Sequence, residues 1–348
     1  MDGLVRIDGS EGEGGGQMLR TALALSMIKG RPFEIVNIRA RRQKPGLRPQ
    51  HLACVEAAAK ISSAAVEGAF LGSRALRFEP GTVRPGTYDF VIRSAGSVSL
   101  VLHTVYLPLA LAGARSVVTI SGGTHVPFSP SFHFLLHQWA VLLRRLGVEV
   151  ELTMARAGYY PEGGGAIRAK VFPAGSVRPL ILGPRGALER LEGISLASGL
   201  ARSVAERQRQ QALARLEAEG LAAGIELAEA PSPGKGTSLF LLSTYQGGGR
   251  AAADALGALG KRAEKVADEA CDQMLAFLRT RGAVDAHSAD QLLLPLSLAT
   301  GHSEFPVPDV SSHLLTNAQV IQRFVRAVLS IDGEPGGEGT VRVTPLPA

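Results

Sequence analysis

Aromatic residues make up only 5% of this chain, and cysteine is nearly absent, with two thiols among 348 residues. A core with so few rings has to be aliphatic, built on Leu, Val, Ile and Ala. Cys54 and Cys271 lie far apart in sequence, which excludes a framework of disulfides and suits a reducing compartment. No run approaches the ~20 apolar residues that a membrane span requires. The opening MDGLVRIDGSEGEGG lacks the basic-then-apolar layout of a signal peptide. The expectation is a soluble, cytoplasmic protein with no membrane partner.

What the chain has instead is glycine and positive charge. Several of its 41 glycines sit in clusters, marking places where backbone turns sharply or approaches a ligand closely. The formal net charge of +6 favours a polyanionic partner. A length of 348 residues suggests two domains, or one domain with a large insertion.

The hydrophobic pattern predicts a short strand over Leu4–Asp8, a Gly-rich turn and a helix from about Gln17 to Ile28. A strand over Phe33–Ile38, a basic turn and a helix from about Pro49 to Ile61 follow. Extended segments near Ala75–Phe78 and Tyr88–Arg93 come next, then a helix over Ser97–Leu111 and a strand over Ser116–Ser121. A helix over Phe132–Leu146 and strands over Val148–Leu152 and Ala166–Phe172 close a second round of a similar order. From about Pro184 the texture changes, with a charged helix over Ala201–Glu219, extended segments at Ile225–Ala228 and Leu239–Tyr245, and a helix over Ala263–Thr280. The first pattern resumes at Asp290–Ala299, with a last helix over Asn317–Leu329 and a Gly/Pro-rich tail from Asp332 that is expected to end poorly ordered. The predicted layout is α/β (α+β), with a large domain over 1–183 and 277–340. A smaller α/β domain is inserted at 184–276, and a tail occupies 341–348.

The chemistry begins with the Gly-rich turn. Five glycines fall at positions 9–16, between a strand and a helix. Bare N–H groups at a helix start make a site for phosphate, although a tight turn needing positive φ has the same signature. The segment is neither a Walker A loop nor a dinucleotide motif, because Gln17 stands where the last glycine would. A carboxylate beside a phosphate needs a cation between them, so Glu13 hints at Mg²⁺ or Mn²⁺ bridging to ATP; complementing the helix dipole is the plain alternative for Glu11 and Glu13. Gln17 and Arg20, three apart, share a helix face. Arg39, Arg41, Arg42, Lys44 and Arg48 put five cations in ten residues before Gln50 and His51. Arginine forks suit phosphate, and a strand running into them would place Arg39 and Arg41 on one face. His133 and His137 have helical spacing without the Glu of a zinc helix, which favours ordinary surface histidines. His313 stands just before a helix, as a capping-region residue or as an imidazole able to attack phosphorus. No RNA-binding motif or aromatic stacking platform is evident.

In sum, Ile7-Asp8-Gly-Ser-Glu-Gly-Glu-Gly-Gly-Gly-Gln17, Arg39-Ala-Arg-Arg42, Pro45-Gly46-Leu47 and Gln50-His51 occur in one order. Ser121-Gly-Gly-Thr124, Ala289-Asp-Gln-Leu-Leu-Leu-Pro295 and His313-x-x-Thr316-Asn317 follow. So arranged, the chain resembles the RNA 3′-terminal phosphate cyclase family. The resemblance implies a large domain of three repeated sheet-plus-two-helix units carrying a smaller inserted α/β domain. It implies a ligase in RNA end processing or repair that uses ATP and a divalent metal. His313 would take AMP from ATP, AMP would pass to an RNA 3′-phosphate, and the neighbouring 2′-hydroxyl would expel it to leave a 2′,3′-cyclic phosphate. By the same resemblance Glu13 would hold the metal. Gln17, Arg20, Arg39, Arg42, Gln50 and His51 would surround the phosphates, and Pro130, Phe134, Asp290 and Gln291 the adenosine. His103 replaces a usual glutamine and His287 a frequent tyrosine. The alternatives are a non-catalytic ribosome-biogenesis relative of the same fold and a carboxyvinyl transferase of related fold.

Overall fold

The structure is a computed structural model that describes residues 3–346. The first unit runs β1 (Val5–Asp8), α1 (Gly16–Lys29), β2 (Phe33–Val36), α2 (Pro49–Ser62), β3 (Ala65–Glu67) and β4 (Leu76–Glu79). Its sheet has the order β1-β2-β4-β3, with the first pair parallel and the rest antiparallel. The second unit contains β5 (Thr87–Val91), α3 (Val98–Ala110), β6 (Ser116–Gly122), α4 (Phe132–Phe134), a π-helical turn (Leu135–Trp139), α5 (Ala140–Arg145), β7 (Val150–Arg156) and β8 (Gly165–Val171). The order β5-β6-β8-β7 has the same sense, strand for strand.

A separate sheet, β10-β9-β11-β12, follows. It is made by β9 (Leu188–Ser198), α6 (Arg202–Ala218), β10 (Gly224–Glu229), β11 (Gly236–Tyr245) and β12 (Arg250–Leu256), and is backed by α6 and by α7 (Ala263–Leu278). The chain then passes through α8 (Ala286–Leu296), β13 (Ser303–Val307), α9 (Ser312–Phe324), β14 (Ala327–Asp332) and β15 (Gly339–Pro345). These last strands form the sheet β13-β15-β14. Bridges at Val177–Ala299 and Ile181–Glu304 lay the stretch before β9 parallel to β13. That stretch therefore runs along the β13 edge of the three-stranded sheet.

Burial explains the arrangement. Every residue of α3 except His103 is buried, as expected for a helix that is apolar all round, and α1 and α2 pack against it. Along β11, Leu239 and Leu241 face the helices of their own sheet, while Phe240 and Leu242 join the main core. Alternation in one strand thus joins two cores. A buried polar knot reinforces that joint. The Gln138 amide donates to the Arg250 carbonyl, the Asp285 carboxylate and the Ser288 hydroxyl, each at 3.0 Å, and accepts from Arg250 Nε at 2.8 Å. Gln138 lies in the π turn that interrupts the predicted continuous helix over 132–146.

Several expectations fail for physical reasons. The strand predicted to reach Ile38 ends at Val36, because Asn37 and Arg39 adopt left-handed φ of 53° and 55°. Arg39 and Arg41 are therefore on a turn, and strand alternation does not place them. The last helix stops at Phe324, and 327–332 is strand. The tail predicted at 341–348 supplies most of β15, the middle strand of its sheet, with Val341 and Val343 fully buried; residues 347–348, where the expected disorder would fall, lie outside the described part. His133 is a buried residue, not a surface one, and shares a hydrogen bond of 3.1 Å with His125.

Candidate active site

Parallel strands β1 and β2 end at the same edge of their sheet, so the Gly-rich loop and the basic loop emerge side by side. The start of α9 closes over them. The Glu13 N–H donates to Thr316 Oγ1 at 2.9 Å, and the Thr316 hydroxyl donates to the Ser312 carbonyl at 2.7 Å. Gly12 has φ of 55°, and a Cβ there would fall 2.3 Å from Thr316 Oγ1. Both the conformation and the space require glycine. Glu11, for which the sequence suggests complementing the dipole of α1, pairs with Arg323 of α9 at 2.6 Å.

Across this seam three groups form a chain. Gln17 Nε2 donates to both oxygens of Asp290 at 2.5 Å, and Gln17 Oε1 lies 2.8 Å from His313 Nδ1. A carboxylate only accepts, so the amide nitrogen must face Asp290 and the amide oxygen must face the imidazole. His313 Nδ1 then carries the hydrogen, and Nε2 keeps its lone pair. Burial holds the His313 pKa below the ordinary histidine value, against the opposing pull of Asp290, with His287, Arg20 and Arg42 pushing the same way as burial. That direction favours the neutral ring. Asp290 is raised above the usual carboxylate range, chiefly by burial. Asn317 steadies it, donating to Asp290 Oδ1 at 2.9 Å while accepting from Thr21 Oγ1 at 2.7 Å.

The other side of the imidazole faces Glu13, whose Oε1 is 3.5 Å from His313 Nε2 and pairs with the Arg42 guanidinium. Arg41 donates to the Gly12 carbonyl at 3.2 Å. Arg39 uses one nitrogen on the carbonyls of Lys44 and Gly46, at 2.8 and 3.2 Å. Arg20, half-buried, has its pKa lowered by burial. His51 is 3% exposed, and burial, then Arg20, Arg39 and Arg48, push it down to about 3. Its Nδ1 accepts from the Arg48 N–H at 3.1 Å, so Nε2 bears the hydrogen. That nitrogen is directed at the start of α1, where a Cβ on Gly16 would sit 2.2 Å from it. The first turn of α1 carries neither an acidic residue nor a side-chain cap, so its N–H groups, the His51 N–H and Arg20 converge on space suited to an anion. Gln50 is half-buried in the first turn of α2.

His287 is exposed one turn before Asp290 on α8. Gln291 Oε1 and His103 Nε2 are buried without a partner. The His103 ring lies 4.9 Å from that of Trp139, and burial, then Arg20, holds it at about 3. The Pro130 carbonyl accepts from Ser99 Oγ at 2.8 Å. Phe134 is buried. Thr316 and Asn317 stood in the sequence motif without a role, and Thr21 carried no signal beyond its helical place one residue after Arg20. Among the described residues no three His, Cys, Asp or Glu side chains converge as a metal cluster. A Mg²⁺ ion commonly takes one or two carboxylates and completes its shell with phosphate oxygens and water. Glu13 fits such an ion only in the company of a polyphosphate.

A helix end and arginines able to receive phosphates, beside a neutral imidazole with a free lone pair, are the equipment of an enzyme that transfers phosphoryl or nucleotidyl groups. The comparisons narrow the class. A family model described as RNA 3′-terminal phosphate cyclase matches residues 11–331. The RNA 3′-terminal phosphate cyclase of Methylococcus capsulatus is 44% identical over 353 aligned positions, covering 99% of this chain and 98% of that protein. Those of Caldivirga maquilingensis and Methanopyrus kandleri are 44% and 42% identical, covering 93% and 98% of this chain and 93% and 99% of those proteins. The chain belongs to the RNA 3′-terminal phosphate cyclase family. The enolpyruvyl transferase NikO from Streptomyces tendae superposes with a TM-score of 0.28 at 14% identity, over 62% of this chain and 38% of that one, a likeness too slight to carry fold or function.

Proposed function

We propose that this chain converts an RNA 3′-phosphate to a 2′,3′-cyclic phosphate with ATP, in the cytoplasm, through a histidine–AMP intermediate on His313. The observation that carries the assignment is the Asp290–Gln17–His313 chain, which leaves Nε2 as a nucleophile. Nε2 attacks the α-phosphorus of ATP, the bond to the bridging oxygen breaks, and pyrophosphate leaves. An oxygen of the RNA 3′-phosphate then takes AMP from the imidazole. The vicinal 2′-hydroxyl, held within reach by its own ribose, attacks the 3′-phosphorus, loses its proton and expels AMP. Arg20, Arg39, Arg42, Gln50 and His51 hold phosphate oxygens. Pro130, Phe134, His103, His287, Asp290 and Gln291 flank the adenosine. Glu13 supplies a carboxylate to a divalent Mg²⁺ or Mn²⁺, whose contribution when bound is to offset charge on the phosphates.

Incubation with ATP labelled at the α-phosphate and a divalent cation is expected to leave acid-labile, base-stable label on the protein. 3′-Phosphorylated RNA is expected to become resistant to phosphatase. Equal labelling of the His313→Ala variant refutes the nucleophile, and an unprotected 3′-phosphate moves the assignment to a non-catalytic relative.

A further inference from the structure

We infer that the rim of the first sheet is the platform on which the RNA strand lies upstream of its reacting end, with Phe70 stacking on a base and Arg41, Lys44 and Arg74 meeting phosphates. The inference rests on the RNA-end activity proposed above in taking single-stranded RNA as the occupant. Strand β4 runs antiparallel to β2, with Ile35 opposite Leu76. The hairpin between β3 and β4 therefore turns over at the same edge as the Gly-rich and basic loops. Backbone bonds lock hairpin and basic loop together. The Leu47 N–H donates to the Ser73 carbonyl and the Gly72 N–H to the Leu47 carbonyl, both at 2.9 Å, while the Ile38 N–H donates to the Arg74 carbonyl at 3.0 Å. Gly46, at φ of 78°, passes so close that a Cβ would lie 2.3 Å from the Gly72 oxygen.

The tip of this braced hairpin presents Phe70 at 62% exposure and Leu71 at 59%. Arg41, Lys44 and Arg74 are exposed on the same rim. A flat apolar ring among cations suits single-stranded nucleic acid, which offers a base face and a phosphate at each step. The rim also begins where the reacting phosphate must sit, since Arg42, next to Arg41, pairs with Glu13, and Glu13 lies 3.5 Å from His313 Nε2. No contiguous motif marks this surface, because Phe70 is separated in sequence from the cations it joins.

The test is fluorescence anisotropy with a 5′-labelled, 3′-phosphorylated single-stranded RNA decanucleotide, without ATP. Phe70→Ala is expected to weaken binding roughly 5- to 150-fold, the span of one base–aromatic stack, and Phe70→Trp to restore it. Lys44→Ala and Arg74→Ala are each expected to weaken binding and to reduce the slope of log affinity against log salt by about 0.7. The rate of ATP labelling is expected to be unchanged in Phe70→Ala, which separates lost stacking from a damaged fold. Equal binding by wild type and Phe70→Ala overturns the platform, as does a blunt RNA duplex bound as tightly as the single strand. Because binding is read without ATP, a protein that fails to label yet holds the decanucleotide through Phe70 loses the proposed activity and keeps the platform.

Discussion

Replacing Gln17 by methionine tests the central feature of the site. Methionine has similar length and apolar volume but offers His313 no acceptor and Asp290 no donor. Two interactions disappear. The contact of Gln17 Oε1 with His313 Nδ1 at 2.8 Å is a neutral hydrogen bond worth about 0.5–1.5 kcal/mol, and the contacts with Asp290 at 2.5 Å go to a charged group, a class worth about 1.5–3 kcal/mol. Asp290 retains Asn317 as a donor at 2.9 Å, so only part of the second value is lost. The share reaching the reaction is then about 1–3 kcal/mol, or roughly 5- to 150-fold in the rate of His313 labelling from ATP. In the proposed reaction this interaction grows, because the ring would gain positive charge as Nε2 bonds to phosphorus. The assay pairs single-turnover labelling with nitrogen-15 NMR of the His313 tautomer. The Nδ1–H signature is expected to weaken in Gln17→Met, with a smaller loss in Asp290→Asn, which keeps the shape. An unchanged tautomer together with a raised KM for ATP would show that Gln17 only binds phosphate, and the positioning argument would fall.

Acid is expected to unfold the protein through its buried histidines. His51 and His133, 3% and 8% exposed, are pushed down to about 3 and about 4, mainly by burial, whereas the unfolded chain titrates near 6.5. Between those values only the unfolded state takes up the protons, so stability is complete above pH 6.5 and is lost as pH falls. At pH 5 the cost is on the order of 2 kcal/mol for each ring. Urea unfolding is expected to show a lower midpoint at pH 5 than at pH 7 and a shallower pH slope in His133→Gln; parallel slopes would refute the assignment. Gly16→Ala sets two effects against each other. Helix propensity alone favours alanine by about 1 kcal/mol, but its Cβ would sit 2.2 Å from His51 Nε2 and 3.0 Å from an Arg20 guanidinium nitrogen. The His51 ring is buried and tethered to Arg48, so sterics win. The expected result is a lower Tm and ATP labelling reduced at least tenfold, and a higher Tm with full labelling would contradict it.

Elements that depend on their own residues were legible in the sequence. The apolar stretch of α3, the alternation of β6 and the charged length of α6 form wherever such sequences occur, and their predicted limits agree with the structure to within a residue or two. Elements that depend on partners were not. Strand β9 begins Leu-Glu-Arg-Leu-Glu-Gly, which looks like surface until β10 and β11 pair with it on both sides. Strand β15 looks like tail until β13 and β14 flank it.

The site divides in the same way. The order of short motifs, from the Gly-rich turn to His313-x-x-Thr316-Asn317, placed the chain by itself among the RNA 3′-terminal phosphate cyclases, and the glycine spacing marked an anion-binding helix end. Neither says which nitrogen of His313 is free. Gln17 and Asp290 are 273 residues apart, and Gln17 and His313 are 296 apart. Only the packing of α9 against both α1 and α8 makes one amide span carboxylate and imidazole. A hydrogen-bond direction is a property of a pair in space, so the sequence determined which groups were available and the tertiary structure decided which imidazole nitrogen keeps its lone pair.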